Sequence, residues 1–354
     1  NRSNKEFIND LTIDHKRFLY STLSTFGPLE VIEFMKNKDV PLQLENNFKY
    51  FPQSNRSIDI LKALSKELKG TVMLNTAAER IHINGNFTVY TSKGEIQSKY
   101  LIIATGSESY PATGSTGDGL RFAKKLGHQT VPFYPAETNV YSSFIASKRE
   151  QLQGIAITNS IVRIKGTKTM YSGSILFTHN GVSGPVIQHI SEFLYFSLLE
   201  GKKIIEVSLT DHTENELINI FNNVNNMDTH VLQILNKMTI KRVAKFILEE
   251  LLLENKKLIE ISKKQKLQII EMLLRYNIKI DKVEAKENAY VNGGGISTKE
   301  LNPKTFESKL YPKLFFIGET VDVHGPIGGY NITIALSSGF SCSKQIINDI
   351  RSNK

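Results

Sequence analysis

One stretch near the C-terminus, LFFIGETVDVHGPIGGYNITIALSSGF, restricts the possible folds more than any other part of the chain. The apolar run Leu314 to Ile317 reads as a buried strand ending at Gly318-Glu319, and after a loop Gly328-Gly329 opens a helix. Backbone N–H groups at a helix start lack intrahelical partners and carry the positive end of the helix dipole. Glycines let an electron-rich group approach those amides. An acid at the strand end can accept hydrogen bonds from the hydroxyls of a ribose or ribityl chain. The same spacing also suits a plain strand-loop-helix connection, and spacing alone leaves both readings open.

A second segment, YLIIATGSESYPATGSTGDGLRFAKKLG, begins with an apolar run that reads as a strand buried on both faces. Gly114, Gly117 and Gly119 resemble a phosphate loop, but no Lys-Ser/Thr follows and the order is not G-x-G-x-x-G. Asp118 stands where an N-cap belongs, and a carboxylate there satisfies the helix start and repels phosphate. This loop is therefore read as structural, with Thr105-Gly106 at the strand end as the ligand contact. In FTHNGVSGPVIQHIS, His179 and His189 lack metal-ligand spacing, and Ser183 is not in a G-x-S-x-G elbow. No metal site is expected. His324, in the glycine-rich loop, is a candidate for proton transfer. The single cysteine, Cys342, excludes an internal disulfide, a cysteine-rich zinc site and a dithiol redox pair.

Around these segments the chain divides by texture. Gly27-Pro28 opens one helix, and Ser57 is the expected N-cap of another ending at Gly70. TVMLN reads as a short strand, and Asn84-Gly85 and Lys93-Gly94 as hairpin turns. Beyond Pro135 come antiparallel strands, an apolar helix opened by Pro185, and short helices from Thr213 to Tyr276. The economical reading is a discontinuous α/β domain (1–136 and 288–354) interrupted by a β-rich insert (137–212 and 277–287) that itself holds a helical subdomain (213–276). Net charge is +9, and 236–286 carries 13 Lys/Arg against 7 Asp/Glu. The Lys/Glu interleaving there points to a solvated helical face rather than a nucleic-acid groove. No apolar run approaches the roughly 18 residues that span a bilayer, so no membrane partner is expected.

LIIATGSESYPATGSTGDGLRFAKKLGH, ILFTHNGVSGPVI, VNGGGISTKELNPKTFESKLYPKLFFIGE and DVHGPIGGYNITIALSSGF together resemble the BaiN-like (YhiN-like) family of NAD(P)/FAD-dependent oxidoreductases. The resemblance implies a glutathione-reductase-like FAD-binding domain, a β-barrel-like insert and a small helical domain. It implies a flavin that takes a hydride or two electrons from NAD(P)H or a small organic substrate and passes them on, in a cytoplasmic enzyme. The alternative is an FAD-related enzyme that modifies or binds tRNA through the basic helical insert. Carried over by position, Thr105 and Gly106 line the FAD diphosphate, Glu319 holds the ribityl chain, and Ala78 supplies a backbone contact to adenine. Gly328, Gly329, Tyr330 and Asn331 face the pyrimidine edge of the ring, with Tyr330 and His324 as proton carriers. Ser107 departs from the family pattern, standing where a second glycine is usual. The family's opening G-x-G-x-x-G unit is not in this sequence, and Asn1 aligns just after it, so the resemblance implies a chain lacking its main diphosphate anchor.

Overall fold

A computed structural model describes residues 2–45 and 49–352. The chain forms two compact units, unit 1 from Asn1–Tyr134 with Val291–Lys354, and unit 2 from Pro135–Tyr290.

Unit 1 starts with short helices. The first, Asn4–Asp10, is fixed by a Ser3/Glu6 capping box, and the helix Pro28–Lys36 has Pro28 in its first turn. An antiparallel pair follows, β1 (Leu42–Glu45) and β2 (Lys49–Pro52). The next helix, Ser57–Ser65, starts one residue before its expected first turn, with Arg56 as N-cap, and stops short of Gly70. The run TVMLN is not a strand: Val72, Met73 and Leu74 lie exposed in an irregular segment, because no neighbouring strand pairs with them. Strands β3 (Ala78–Asn84), β4 (Asn86–Thr91) and β5 (Gly94–Ser98) form the antiparallel meander that the two glycine turns require.

Strand β6 (Leu101–Ile103) leads to the helix Asp118–Lys125. Its Ile102 is 43% exposed, so β6 is not buried on both faces as its apolar run suggests. Asp118 is the first helical residue rather than the cap, which is Gly117 in a left-handed conformation. Strand β7 (Thr130–Glu137) leads into unit 2.

Unit 2 contains β8 (Val140–Tyr141), β9 (Ala156–Ile164), β10 (Met170–Phe177), β11 (Gly181–Ser183), β12 (Ile204–Val207), β13 (Tyr276–Lys279) and β14 (Lys282–Val283). They make one seven-stranded antiparallel sheet in the order β13-β12-β9-β10-β11-β8-β14, so its two outer strands follow one another in the chain. The alternation in β9, buried at Ile157, Ser160, Val162 and Ile164, gives the sheet one core face. Onto the core pack the helix Pro185–Leu199 and the helices Glu214–Asn222, Val231–Leu235, Lys241–Glu250 and Lys263–Leu274.

Back in unit 1, β15 (Val291–Ile296) pairs with β7, and β16 (Leu314–Phe316) lies parallel to β6 in the register Leu314↔Leu101, Phe315↔Ile102, Phe316↔Ile103. The last described element is a 23-residue helix, Tyr330–Ser352. Its buried face is made largely of small residues, Thr333, Ser337, Ser338, Ser341 and Cys342, which allow close approach. Ser338 Oγ accepts from the Gly318 N–H at 3.0 Å, fixing the helix against the end of β16. No helix among the described residues is long and apolar enough to cross a membrane.

Candidate functional site

The parallel pair β6–β16 brings two chain ends out side by side at its carboxyl edge, where open α/β sheets bind ligands. From β6 emerge Thr105, Gly106 and Ser107; from β16 emerge Gly318, Glu319 and Thr320. The Gly119 N–H donates to Thr105 Oγ1 at 2.9 Å. A Cβ on Gly119 would stand 2.4 Å from Thr105 Oγ1 and 2.6 Å from Thr320 Cγ2, so only glycine lets the helix Asp118–Lys125 start this close to both strand ends. Gly106 has φ +74°, a turn that re-aims the chain just past the strand. These three strand-end residues, Thr105, Gly106 and Glu319, are brought together.

Ser107 is fully buried and its hydroxyl donates to Glu319 Oε2 at 3.2 Å. Burial holds the Glu319 carboxyl above the ordinary carboxylate range, while the Ser107 hydrogen bond and the nearby His324 pull it back. His324 is itself buried, with the Tyr134 ring edge-on at 6.2 Å. His324 thus acts on Glu319 through charge, favouring its ionised form.

The final helix begins after Gly328 (φ +128°) and Gly329 (φ +97°), both in conformations that favour glycine. Thr333 N–H donates to the Gly329 carbonyl at 2.9 Å, so the amides before Thr333 point out of the helix end. Nothing lies within 4 Å of where a Cβ on Gly329 would stand. At Gly328 that point is 2.5 Å from Cε and 2.7 Å from Nζ of Lys49. Asn331 does not turn its carboxamide outward: its Oδ1 accepts from the Gly325 N–H at 2.9 Å and its Nδ2 donates to the Gly325 carbonyl at 2.8 Å, clamping the preceding loop. Tyr330 donates to Asp10 Oδ2 at 2.5 Å, and Arg2 Nε pairs with the same carboxylate oxygen at 3.2 Å. Burial first, then the Asp10 bond, push the Tyr330 phenol up to about 12. Ala78 opens β3, half-buried against the core of unit 1; the neighbouring Glu79 carbonyl accepts from Arg121 Nη1 at 3.1 Å.

Lys49, the Asp10–Arg2 pair and the Ser107–Glu319 bond are contacts that local sequence reasoning missed. Lys49 on Gly328 and Ser107 on Glu319 join residues far apart in the chain, as does the Tyr330 bond that ties the Asp10–Arg2 pair to the final helix, and neither periodicity nor spacing signals them. Among the described residues no cluster of His, Cys, Asp and Glu has a metal-binding arrangement.

This donor set fits a flavin nucleotide. It offers a buried acid for hydroxyls, two glycine-opened turns for backbone approach, and an uncovered helix start with open space at Gly329.

A family model described as HI0933-like protein Rossmann domain matches residues 1–345. The chain is 27% identical over 299 residues to the ribosomal RNA dihydrouridine synthase of Haemophilus influenzae, covering 82% of this chain and 72% of the relative. It is 26% identical over 287 residues to the Escherichia coli protein of the same name, covering 79% and 69%. It is 25% identical over 342 residues to the 3-dehydro-bile acid delta(4,6)-reductase of Clostridium scindens, covering 91% and 81%.

Proposed function

Because the chain belongs to the HI0933-like Rossmann family, we propose that it is an FAD-dependent reductase that adds a hydride and a proton across a carbon–carbon double bond conjugated with a carbonyl. The observation that carries this reading is the convergence of Thr105-Gly106 and Glu319 on the carboxyl edge of one parallel strand pair, in a unit that also presents a glycine-opened helix start. The reaction class rests on what two relatives' names have in common: a dihydrouridine synthase saturates a uracil ring, and a delta(4,6)-reductase saturates double bonds of a 3-oxo steroid. Both names describe reduction of a carbon–carbon double bond.

Bound FAD supplies the hydride transfer, with NAD(P)H as electron donor. The chain's own residues hold and orient it. Glu319 accepts from the ribityl hydroxyls, Thr105-Gly106 turn backbone toward the diphosphate, and Ala78 offers backbone to adenine. The helix start at Gly328-Gly329 stabilises negative charge at the pyrimidine edge. Asn331 keeps that start in place through Gly325. Tyr330 stays protonated at neutral pH and enters as a hydrogen-bond donor whose proton is held by Asp10. His324 tunes Glu319.

A second reading places the substrate within RNA. The helices Lys241–Glu250 and Lys263–Leu274 begin with the exposed pairs Lys241-Arg242 and Lys263-Lys264, with no acid in either first turn. Cations at a helix start oppose the dipole, which favours a polyanionic partner at these ends.

One experiment separates these readings. The purified chain and Gly329→Val are compared for flavin absorbance after desalting, then each is supplied with NAD(P)H and either a conjugated enone or uridine-containing RNA. Gly329→Val, which fills the open space at a positive φ, is expected to lower flavin content at least about tenfold. Equal flavin per protein in both would remove the site. Enone turnover supports the first reading, and dihydrouridine formed with a steep salt dependence supports the second.

A further inference from the structure

Lys49 brings a cation to the glycine-opened helix start. Among the described residues its strand β2 is paired only with β1, yet its side chain reaches Gly328, where the missing side chain makes the room that Cε and Nζ occupy. Lys49 is half-buried, and its ammonium forms no ion pair or hydrogen bond with any described residue. The acids of the site are committed elsewhere: Asp10 to Arg2 and Tyr330, and Glu319 to Ser107. A partly buried ammonium beside the positive end of a 23-residue helix places two like charges together, which is unfavourable unless negative charge comes to lie against both.

We infer that Lys49 is the charge-holding residue of the site: seated on Gly328, its ammonium fixes negative charge on the flavin ring and so favours two-electron reduction. This rests on the flavin reading above. Gly328 has its own role in it, since any side chain there displaces the lysine.

The test is a redox titration of the FAD-loaded chain, with oxidised-FAD affinity measured separately by fluorescence titration, for the parent, Lys49→Met, Lys49→Arg and Gly328→Ala. Lys49→Met is expected to leave oxidised-FAD affinity nearly unchanged and to weaken the reduced state at least tenfold, which lowers the midpoint potential by about 30 mV or more. Lys49→Arg should restore most of the difference. Gly328→Ala, which moves the charge without deleting it, should shift the potential in the same direction as Lys49→Met. A parent that holds no FAD would sink the flavin reading and this inference with it. A parent that holds FAD, with Lys49→Met at the parent's potential, overturns the inference alone. Equal weakening of oxidised and reduced FAD also overturns it, because Lys49 then serves only as a packing contact.

Discussion

Unit 2 buries the larger apolar cluster of the molecule in the shorter share of the chain, whereas unit 1 has a smaller cluster and leaves Ile332, Phe340 and Ile347 of its final helix, with Ile102 of β6, exposed. Both units hold close-packed and open glycines, and one from each illustrates the two uses. In unit 2 a Cβ on Gly181 would stand 2.1 Å from the Val140 carbonyl oxygen, so that glycine serves close packing. In unit 1 the positive-φ Gly329 faces open space, so it serves access. The β-rich unit gains its stability from side chains packed on one sheet. The unit with the candidate site combines buried polar groups with a helix start left open by positive-φ glycines. Stability and ligand binding should therefore respond to different substitutions.

The largest expected effect is in unit 2. Phe246 is fully buried, edge-on to Tyr276 with ring centroids 5.5 Å apart. Phe246→Ala should cost about 3–5 kcal/mol in urea unfolding through the cavity it leaves. In the fraction still folded, flavin affinity should match the parent. A tenfold weaker affinity in folded Phe246→Ala would break the comparison, because the core of unit 2 would then be supporting the site.

What the sequence makes legible follows this division. The meander β3–β5, the helix behind Pro185 and the final helix behind Gly328-Gly329 are set by local signals, turn glycines and apolar periodicity, and they stand where those signals put them. The apolar run Val72–Leu74 misleads, because a strand needs a partner and none is adjacent. The depth of β6 is misread for a related reason: burial on both faces depends on what covers the strand, which its own residues do not encode. The strand-end placement of Thr105, Gly106 and Glu319 is legible because each follows a recognisable strand. Lys49 on Gly328, Tyr330 on Asp10 and Ser107 on Glu319 are set by topology alone, and no local pattern announces them.

An intermediate effect is expected at Glu319, where stability and binding should move in opposite directions. Its folded pKa is raised above the ordinary 4.5 by burial, so its contribution to stability is full below that value and is lost as pH rises through the folded value. At neutral pH the flavin-free Glu319→Gln chain should therefore melt higher than the parent, with the gap closing as pH falls toward 4.5. The same variant should bind FAD roughly tenfold more weakly, since a charge-assisted acceptor is replaced by a neutral one. A Glu319→Gln chain that melts lower than the parent at neutral pH would mean the carboxylate is held by partners stronger than Ser107.

The smallest effect tests whether unit 2 is as purely a packing unit as the comparison holds. Tyr276 is 5% exposed, lies between Phe144 and Phe246, and its hydroxyl has no hydrogen-bond partner among the described residues. An unsatisfied buried hydroxyl carries its full desolvation cost, so Tyr276→Phe, which keeps the ring and removes only the oxygen, should raise stability by about 1 kcal/mol. Burial, and secondarily Glu250, push the phenol well above its ordinary value of 10.0. The folded state therefore resists ionisation more than the unfolded chain does, and the parent should lose stability as pH rises above about 10. The advantage of phenylalanine should be constant below that pH and grow above it, which urea unfolding at neutral pH and in alkali can resolve. A Tyr276→Phe chain less stable than the parent at neutral pH would show that the hydroxyl has a function in unit 2, and that this unit does more than pack.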